Sequence, residues 1–387
     1  MKIIICAAQT GGHINPGIAI ANKIKQENKS ANILFIGTPN GIENDLVPRA
    51  GYDLKTIEAY GIERKINLKN IQNMFKTLKS YSKAKKIIKN FNPNLVIGTG
   101  GFICGPVLLA ATRLKIPTII HESNSYPGIA TKLLSGKVNT VLIAFEDARK
   151  RLKKAKNIVL TGTPTKVKKK NLREEQKEKK LKELGLKTNL PVVLIFGGSQ
   201  GAKSINRCII DIIENKANLN YQIIWASGQK QYDVIKQELK SKNIDIEKIE
   251  NAKILPYIYN MEEIMNLADI IISRSGAMTI TEVAKCEKPA IFIPFPFATE
   301  NHQEYNAKVL KNVGAAEIIL DKDLNKETLT RVLNEMLKDK NKLKLMGQNA
   351  KKIAIQNVED RIYEEIKKEV TNYKKSIDNW KFFKKEN

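Results

Sequence analysis

The chain has 387 residues, more than one compact core usually holds, so two domains are expected. With 42% hydrophobic and 27% charged residues it has the make-up of a soluble globular protein, and no apolar run approaches the ~20 residues that span a bilayer. The net charge of +26 suits polyanions, either nucleic acid or anionic lipid headgroups, and says nothing about fold.

The first predicted strand, "KIIICAA" (2–8), runs straight into a glycine turn and reads as structure rather than a cleaved signal. That turn, "QTGGHINPG" (9–17), hands the strand over to a helix. Glycines there let backbone N–H groups approach a ligand, and a helix N-terminus favours negative charge. His13 could exchange protons with a group held beside that charge, or it could simply cap the helix. After the strand "NILFIG" comes a basic stretch (67–91) with seven lysines and no acid. Leu68, Ile71, Phe75, Leu78, Ile87 and Phe91 recur there at roughly helical spacing, a pattern suited to an anionic membrane surface or to a packed helix with solvated lysines. "LVIGTG" leads to a second glycine turn, "GTGGFICGP" (98–106), and "PTIIHES" ends in "HESNSYPG" (121–128). In that last turn His121 reads as a structurally bonded histidine and Asn124 as the better ligand candidate.

"TVLIAF" and "NIVLTG" follow, and then the very charged segment 166–186, which has an amphipathic helix only at its end. The domain boundary is placed near 162–170. Beyond it, "PVVLIFGG" opens a third glycine turn, "FGGSQGAKSIN" (196–206), and "YQIIWASG", "AKILPYI", "DIIISRSG" and "PAIFIPFP" complete a second strand series. "SGA" opens a helix that carries Glu282 about two turns in, where a carboxylate can accept from the paired hydroxyls of a ribose or simply face solvent. His302, Gln303 and Asn306 could bond a sugar or merely form a polar first turn. Residues from about 325 onward are helical and charged, either a packed terminal pair or a surface-binding element.

Apolar strands alternating with helices throughout predict an α/β fold with doubly wound parallel sheets. Three glycine turns at strand ends place a ligand cleft between two such sheets. None fits the P-loop pattern, and the second misses the dinucleotide fingerprint because Ile103 stands where its third glycine belongs. No Asp-x-Asp pair accompanies the turns, so an obligatory metal is not implied. Cys6, Cys104, Cys208 and Cys286 lie far apart, which favours buried reduced thiols over zinc or disulfides. No nucleic-acid recognition motif supports a nucleic-acid partner.

Taken together, "TGGHINPGIAIA", "GTGGFICGP", "HESNSYPG", "FGGSQGAKSIN", "SRSGAMTITEVA" and "PFPFATENHQEYNA" resemble glycosyltransferase family 28, and in particular its bacterial lipid-linked N-acetylglucosamine transferases of peptidoglycan synthesis. The resemblance spans 10–307 and implies a GT-B fold, two Rossmann-like domains facing across a cleft. It implies an N-terminal acceptor and membrane-facing domain (1–165) and a donor-binding domain (166–359), with a C-terminal helix of about 360–387 able to pack back on the first. The implied substrates are UDP-N-acetylglucosamine and lipid I, the undecaprenyl-diphospho-muramyl peptide, with no cofactor. The implied location is peripheral, on the cytoplasmic face of the cell membrane. By the same resemblance Thr10, Gly11, Gly12 and His13 form the first loop, with His13 as base. Asn124 and Gln303 contact the donor sugar, Ser199 faces the diphosphate, and Ile258 meets uracil through its backbone. Ala277, Met278, Thr279, Ile280, Thr281 and Glu282 hold the nucleotide, with Glu282 on the ribose. Two departures stand out: Ala8 and Gln9 replace a leading glycine pair, and Lys166 in "GTPTK" replaces an arginine, keeping the charge without the bidentate fork. The nearest rival is another GT-B enzyme, such as a glycolipid transferase or a UDP-N-acetylglucosamine 2-epimerase, the latter needing no acceptor lipid.

Overall fold

The structure, a computed structural model, describes residues 1–59, 68–198 and 201–386, excepting the side chains of 68–78 and 379–386. The chain divides into two compact units, residues 1–165 with 355–387 and residues 166–354.

The first unit holds β1 (Lys2–Ala7), β2 (Asn32–Gly37), β3 (Asp53–Thr56), β4 (Leu95–Gly100), β5 (Thr118–Glu122), β6 (Thr140–Ile143) and β7 (Ile158–Leu160). They form a parallel sheet in the order β3-β2-β1-β4-β5-β6-β7. Strand β1 is apolar at nearly every position because both its faces are covered. Ile4 and Cys6 pack with Val107 and Leu108 of the helix Cys104–Arg113 and with Ile88 of the helix Leu68–Phe91. Ile3 and Ile5 pack on the other face with Ile20 and Ile24 of the helix Gly11–Glu27. That second face is completed from far along the chain, by Val358, Ile362, Ile366 and Val370 of the helix Val358–Glu386. Lys23 ties the two helices together by pairing with Asp360 at 2.5 Å.

The second unit holds β8 (Val192–Phe196), β9 (Gln222–Ala226), β10 (Ala252–Leu255), β11 (Ile270–Ser273), β12 (Ala290–Phe292) and β13 (Ala316–Ile318), all parallel, in the order β10-β9-β8-β11-β12-β13. Its largest buried side chain, Trp225, donates its indole N–H to Asn206 Oδ1 at 3.1 Å.

In each sheet the winding direction reverses once, between β1 and β4 and between β8 and β11. Loops after the strands beside such a reversal form the ligand crevice of an open α/β sheet. The turns 9–17, 98–106 and 196–206, and the segment after β11, all occupy those positions.

Three details differ from the sequence reading. The edge strands β3 and β13 were not anticipated, since "DLKT" and "AEI" are short and partly polar. The second unit ends at Ala354 rather than 359, because Ile355 and Val358 pack against Gly162 of the first unit. The terminal helix, left open as packed or surface-binding, is packed through Val370. All four cysteines are buried and free.

Candidate functional site

In the first unit the chain leaves β1 through a turn stapled from two sides. Ala8 N–H bonds Gly100 O at 3.3 Å, and Gln9, at φ +79°, donates its N–H to Glu43 Oε2 at 3.0 Å. Glu43 is fully buried and also accepts from the Thr38 N–H (2.8 Å) and hydroxyl (2.6 Å). Burial alone would raise its pKa, but these donors outweigh burial and hold the carboxyl below its ordinary value.

His13 follows on the first helical turn. Its Nδ1 lies 3.1 Å from Ala8 O and 3.2 Å from Thr10 Oγ1. A carbonyl oxygen only accepts, so Nδ1 is the nitrogen that donates to Ala8 O. The bond runs out of the helix to Ala8 rather than to a first-turn N–H, which is not how a cap works. Thr99 Oγ1 donates to the His13 carbonyl at 2.8 Å, and a Cβ at Gly100, whose φ is +131°, would come within 2.2 Å of His13 Cδ2. The second glycine turn is therefore shaped in part around His13. The N–H groups of Gly11 and Gly12 open the same helix and are unsatisfied by its geometry.

After β5, Glu122 organises the next turn. This buried carboxylate accepts from Asn124 N–H (2.9 Å), Asn124 Nδ2 (3.1 Å), Gly128 N–H (2.9 Å) and Thr131 Oγ1 (2.7 Å), which fixes the amide of Asn124. His121 is buried beside it and donates from Nε2 to Gly162 O at 2.9 Å. Burial lowers its pKa against the opposing pull of the Gly162 bond and the Glu122 charge, so the ring is neutral and structural.

In the second unit the loop after β8 is set by Gly198 and Gly201, both at positive φ, and a Cβ on Gly201 would strike the Ser227 carbonyl. Ser199 lies outside the described residues. A cavity of about 540 Å³ adjoins this loop, bounded by Gly197, Lys203, Arg274, Phe295, Phe297 and Gln303 among others. Arg274, which sequence reasoning passed over, ties its walls together. It donates to Asp321 Oδ1 (2.6 Å), Ser204 Oγ (2.9 Å) and the carbonyls of Ile293 (3.0 Å) and Pro294 (3.1 Å). Asp321 opens an Asp-x-Asp run, "DKD" (321–323), that the sequence reading did not associate with the glycine turns. Folding brings it to the cavity, where its carboxylate is engaged by Arg274 and Ser204. Among the described residues no group of three or more His, Cys, Asp or Glu could hold a metal.

The helix Ala277–Lys285 begins after Gly276, directing the N–H groups of Ala277, Met278 and Thr279 out of its first turn. Thr281 bonds back to Ala277 O at 3.0 Å, and Glu282 is half-buried one residue on. Ile280 differs from its neighbours: its side chain is fully buried and its N–H is bonded to Gly276 O at 3.0 Å. Ile258 is buried between exposed Tyr257 and Tyr259 in the loop after β10, so only its backbone could meet a ligand. Gln303 accepts from Phe295 N–H at 3.0 Å and, through its carbonyl, from Ser275 Oγ at 2.8 Å. Asn306 is buried and donates to Ser275 O, while His302 Nδ1 bonds Thr299 O at 2.8 Å, so both brace the fold. Lys166 is exposed and is not among the residues bounding the cavity. A larger cavity, about 700 Å³, lies at the opposite edge of this sheet beside Pro191, Asp269 and Pro289, which precede β8, β11 and β12.

Comparison with known proteins finds close relatives over nearly the whole chain. Residues 3–143 match the glycosyltransferase family 28 N-terminal domain, and residues 192–362 match the family 28 C-terminal domain. The UDP-N-acetylglucosamine--N-acetylmuramyl-(pentapeptide) pyrophosphoryl-undecaprenol N-acetylglucosamine transferase of Acetivibrio thermocellus is 43% identical over 371 residues, covering 95% of this chain and 98% of its own. The crystal structure of MurG from Acinetobacter baumannii superposes with a TM-score of 0.76 at 28% identity, covering 95% of this chain and 99% of that one. A UDP-GlcNAc 2-epimerase from Neisseria meningitidis shares the fold alone, with a TM-score of 0.62 at 14% identity over 95% of this chain and all of its own.

Proposed function

The chain belongs to glycosyltransferase family 28, and from that premise we propose that it moves N-acetylglucosamine from UDP-N-acetylglucosamine to the muramyl 4-hydroxyl of lipid I, forming lipid II for peptidoglycan synthesis. The observation that supports the reading is the hold of Ala8 O and Thr10 Oγ1 on His13 Nδ1 in the first glycine turn. With Nδ1–H held on Ala8 O, Nε2 takes the proton of the 4-hydroxyl as its oxygen attacks the anomeric carbon. The C1–O bond to the diphosphate breaks on the opposite face, inverting the centre, and UDP departs with the bonding pair. Charge on the departing diphosphate is met by fixed donors: loop N–H groups beside Gly197–Gly201 and the N-terminus of the helix Ala277–Lys285. Glu282 accepts from the ribose hydroxyls, the Ile258 backbone meets uracil, and Asn124 and Gln303 contact the sugar. No cofactor or obligatory metal enters this reading.

The acceptor is a membrane lipid, whereas no helix among the described residues is long and apolar enough to cross a membrane. Peripheral attachment at the cytoplasmic face fits the helix Leu68–Phe91. Ala84 and Ile88 are buried in the core, Ile87 and Phe91 pack against it, and Lys79, Lys83, Lys86 and Lys89 are exposed. The side chains of Leu68, Ile71, Phe75 and Leu78 lie outside the described residues, so the proposal rests on this basic face.

The deciding experiment is transfer from labelled UDP-N-acetylglucosamine to a lipid I analogue. Acceptor-dependent formation of a labelled disaccharide lipid supports the reading. Acceptor-independent epimerisation at C2 of the donor would replace it with the rival activity.

A further inference from the structure

The loop after β12 carries two phenyl rings that the core does not cover. Phe295 is 41% exposed and Phe297 84%, with ring centroids 5.7 Å apart at 71°. Large apolar side chains held in water at a cavity edge mark a place for a ligand more often than a packing fault. This loop is also anchored by a part-buried arginine. Arg274 grips the carbonyls of Ile293 and Pro294 and lays its guanidinium over the Phe295 ring at 5.6 Å. Farther along, Glu300 and Asn301 both adopt left-handed backbone, at φ +56° and +54°.

The neighbouring amide sharpens the picture. Gln303 Oε1 is occupied by the Phe295 N–H, so its Nε2 is the group left to donate, and it has no partner among the described residues. Both rings and this amide bound the same cavity as the loop after β8. N-acetylglucosamine has axial C–H bonds on its ring faces and a rim of equatorial hydroxyl and acetamido groups. An aromatic ring with an amide donor beside it matches both. A uracil ring would also stack, but the functional reading places it at the loop after β10.

We propose that Phe297, backed by Phe295, is the platform for the apolar face of the donor's N-acetylglucosamine ring, with Gln303 Nε2 donating to a ring substituent. The inference rests on the functional reading above and adds Phe295 and Phe297 to the donor site as specificity residues.

The test compares wild type, Phe297→Ala and Phe297→Tyr for calorimetric affinity toward UDP and toward UDP-N-acetylglucosamine, and for KM of each substrate. Because Phe297 is so exposed, the alanine variant keeps its melting temperature. Loss of the ring raises Kd and KM for the sugar nucleotide about 3- to 10-fold, the size of a lost aromatic contact. Affinity for UDP alone stays within about twofold, and Phe297→Tyr retains wild-type values. Equal sugar-nucleotide affinity in wild type and Phe297→Ala, a parallel loss for UDP, or a rise confined to the acceptor KM would each overturn the inference alone. A wild type that binds no UDP-sugar would overturn the functional reading and this inference with it.

Discussion

The proton on His13 Nδ1 is placed by a backbone carbonyl, which orients the imidazole within the turn. Replacing His13 with alanine is expected to lower kcat by about 10²–10⁴, the range for a lost general base. UDP affinity measured by calorimetry should be unchanged, because the nucleotide is assigned to the second unit. A normal single-turnover rate in a destabilised variant would return His13 to a structural role. His121 makes the opposite case. Its pKa is lower in the fold than in the unfolded chain, so below about pH 6.5 the unfolded state binds its proton first. Its contribution to stability is thus complete above that pH and declines below it, by up to about 1.4 kcal/mol per pH unit. Urea midpoints at pH 8 and pH 5.5 should fall less steeply with acid in His121→Gln than in wild type. Much of this was legible in the sequence at the residue scale. His13 and Asn124 sit in turns marked by glycines, and Gln303 in a polar run that follows a strand. Glu43, Glu122 and Arg274 were not legible, because their roles consist of bonds to partners set by folding, such as the Glu43 bond to Gln9 across 34 positions.

At the scale of elements, alternation of apolar runs with helix-length gaps revealed eleven of the strands, since a parallel strand covered on both faces must be apolar throughout. The sheet edges escaped notice for the converse reason. Strand β3 is covered so little that Asp53, Lys55 and Thr56 remain exposed. Likewise, the motif 277–282 was legible as a helix start, but which of its residues turn inward depends on packing. Ile280 points into the core while its neighbours do not. The helix Leu68–Phe91 yields a prediction of its own kind. Changing Lys83, Lys86 and Lys89 together to glutamate reverses an exposed face without touching Ala84 or Ile88. Binding to vesicles containing anionic lipid should drop by at least tenfold at low salt, each lost lysine contributing about 1 kcal/mol. The residual binding should respond less to salt. Undiminished sedimentation with vesicles would make this face an ordinary solvated one.

At the scale of the molecule, the +26 charge is shared unequally: residues 1–165 carry 25 basic and 9 acidic side chains. The proposed membrane-facing unit is therefore the more strongly basic, in line with a lipid-linked acceptor and an anionic leaflet. The first unit is also the discontinuous one, completed by Val358, Ile362, Ile366 and Val370 on the face of Ile3 and Ile5. On the ribosome this imposes an order. The second unit is one unbroken segment and has all its residues as soon as Ala354 emerges. The first, although begun earlier, keeps an apolar face open until the last helix leaves the exit tunnel. A chain stopped at Ala354 should thus retain a protease-resistant fragment from the second unit while its first 165 residues are digested rapidly. Equal resistance of both would mean that the early sheet needs no help from the late helix. The nascent enzyme thus spends the time of some two hundred residues' synthesis with its amino-terminal half unfinished, a window in which a chaperone has more to recognise there than in the half made later.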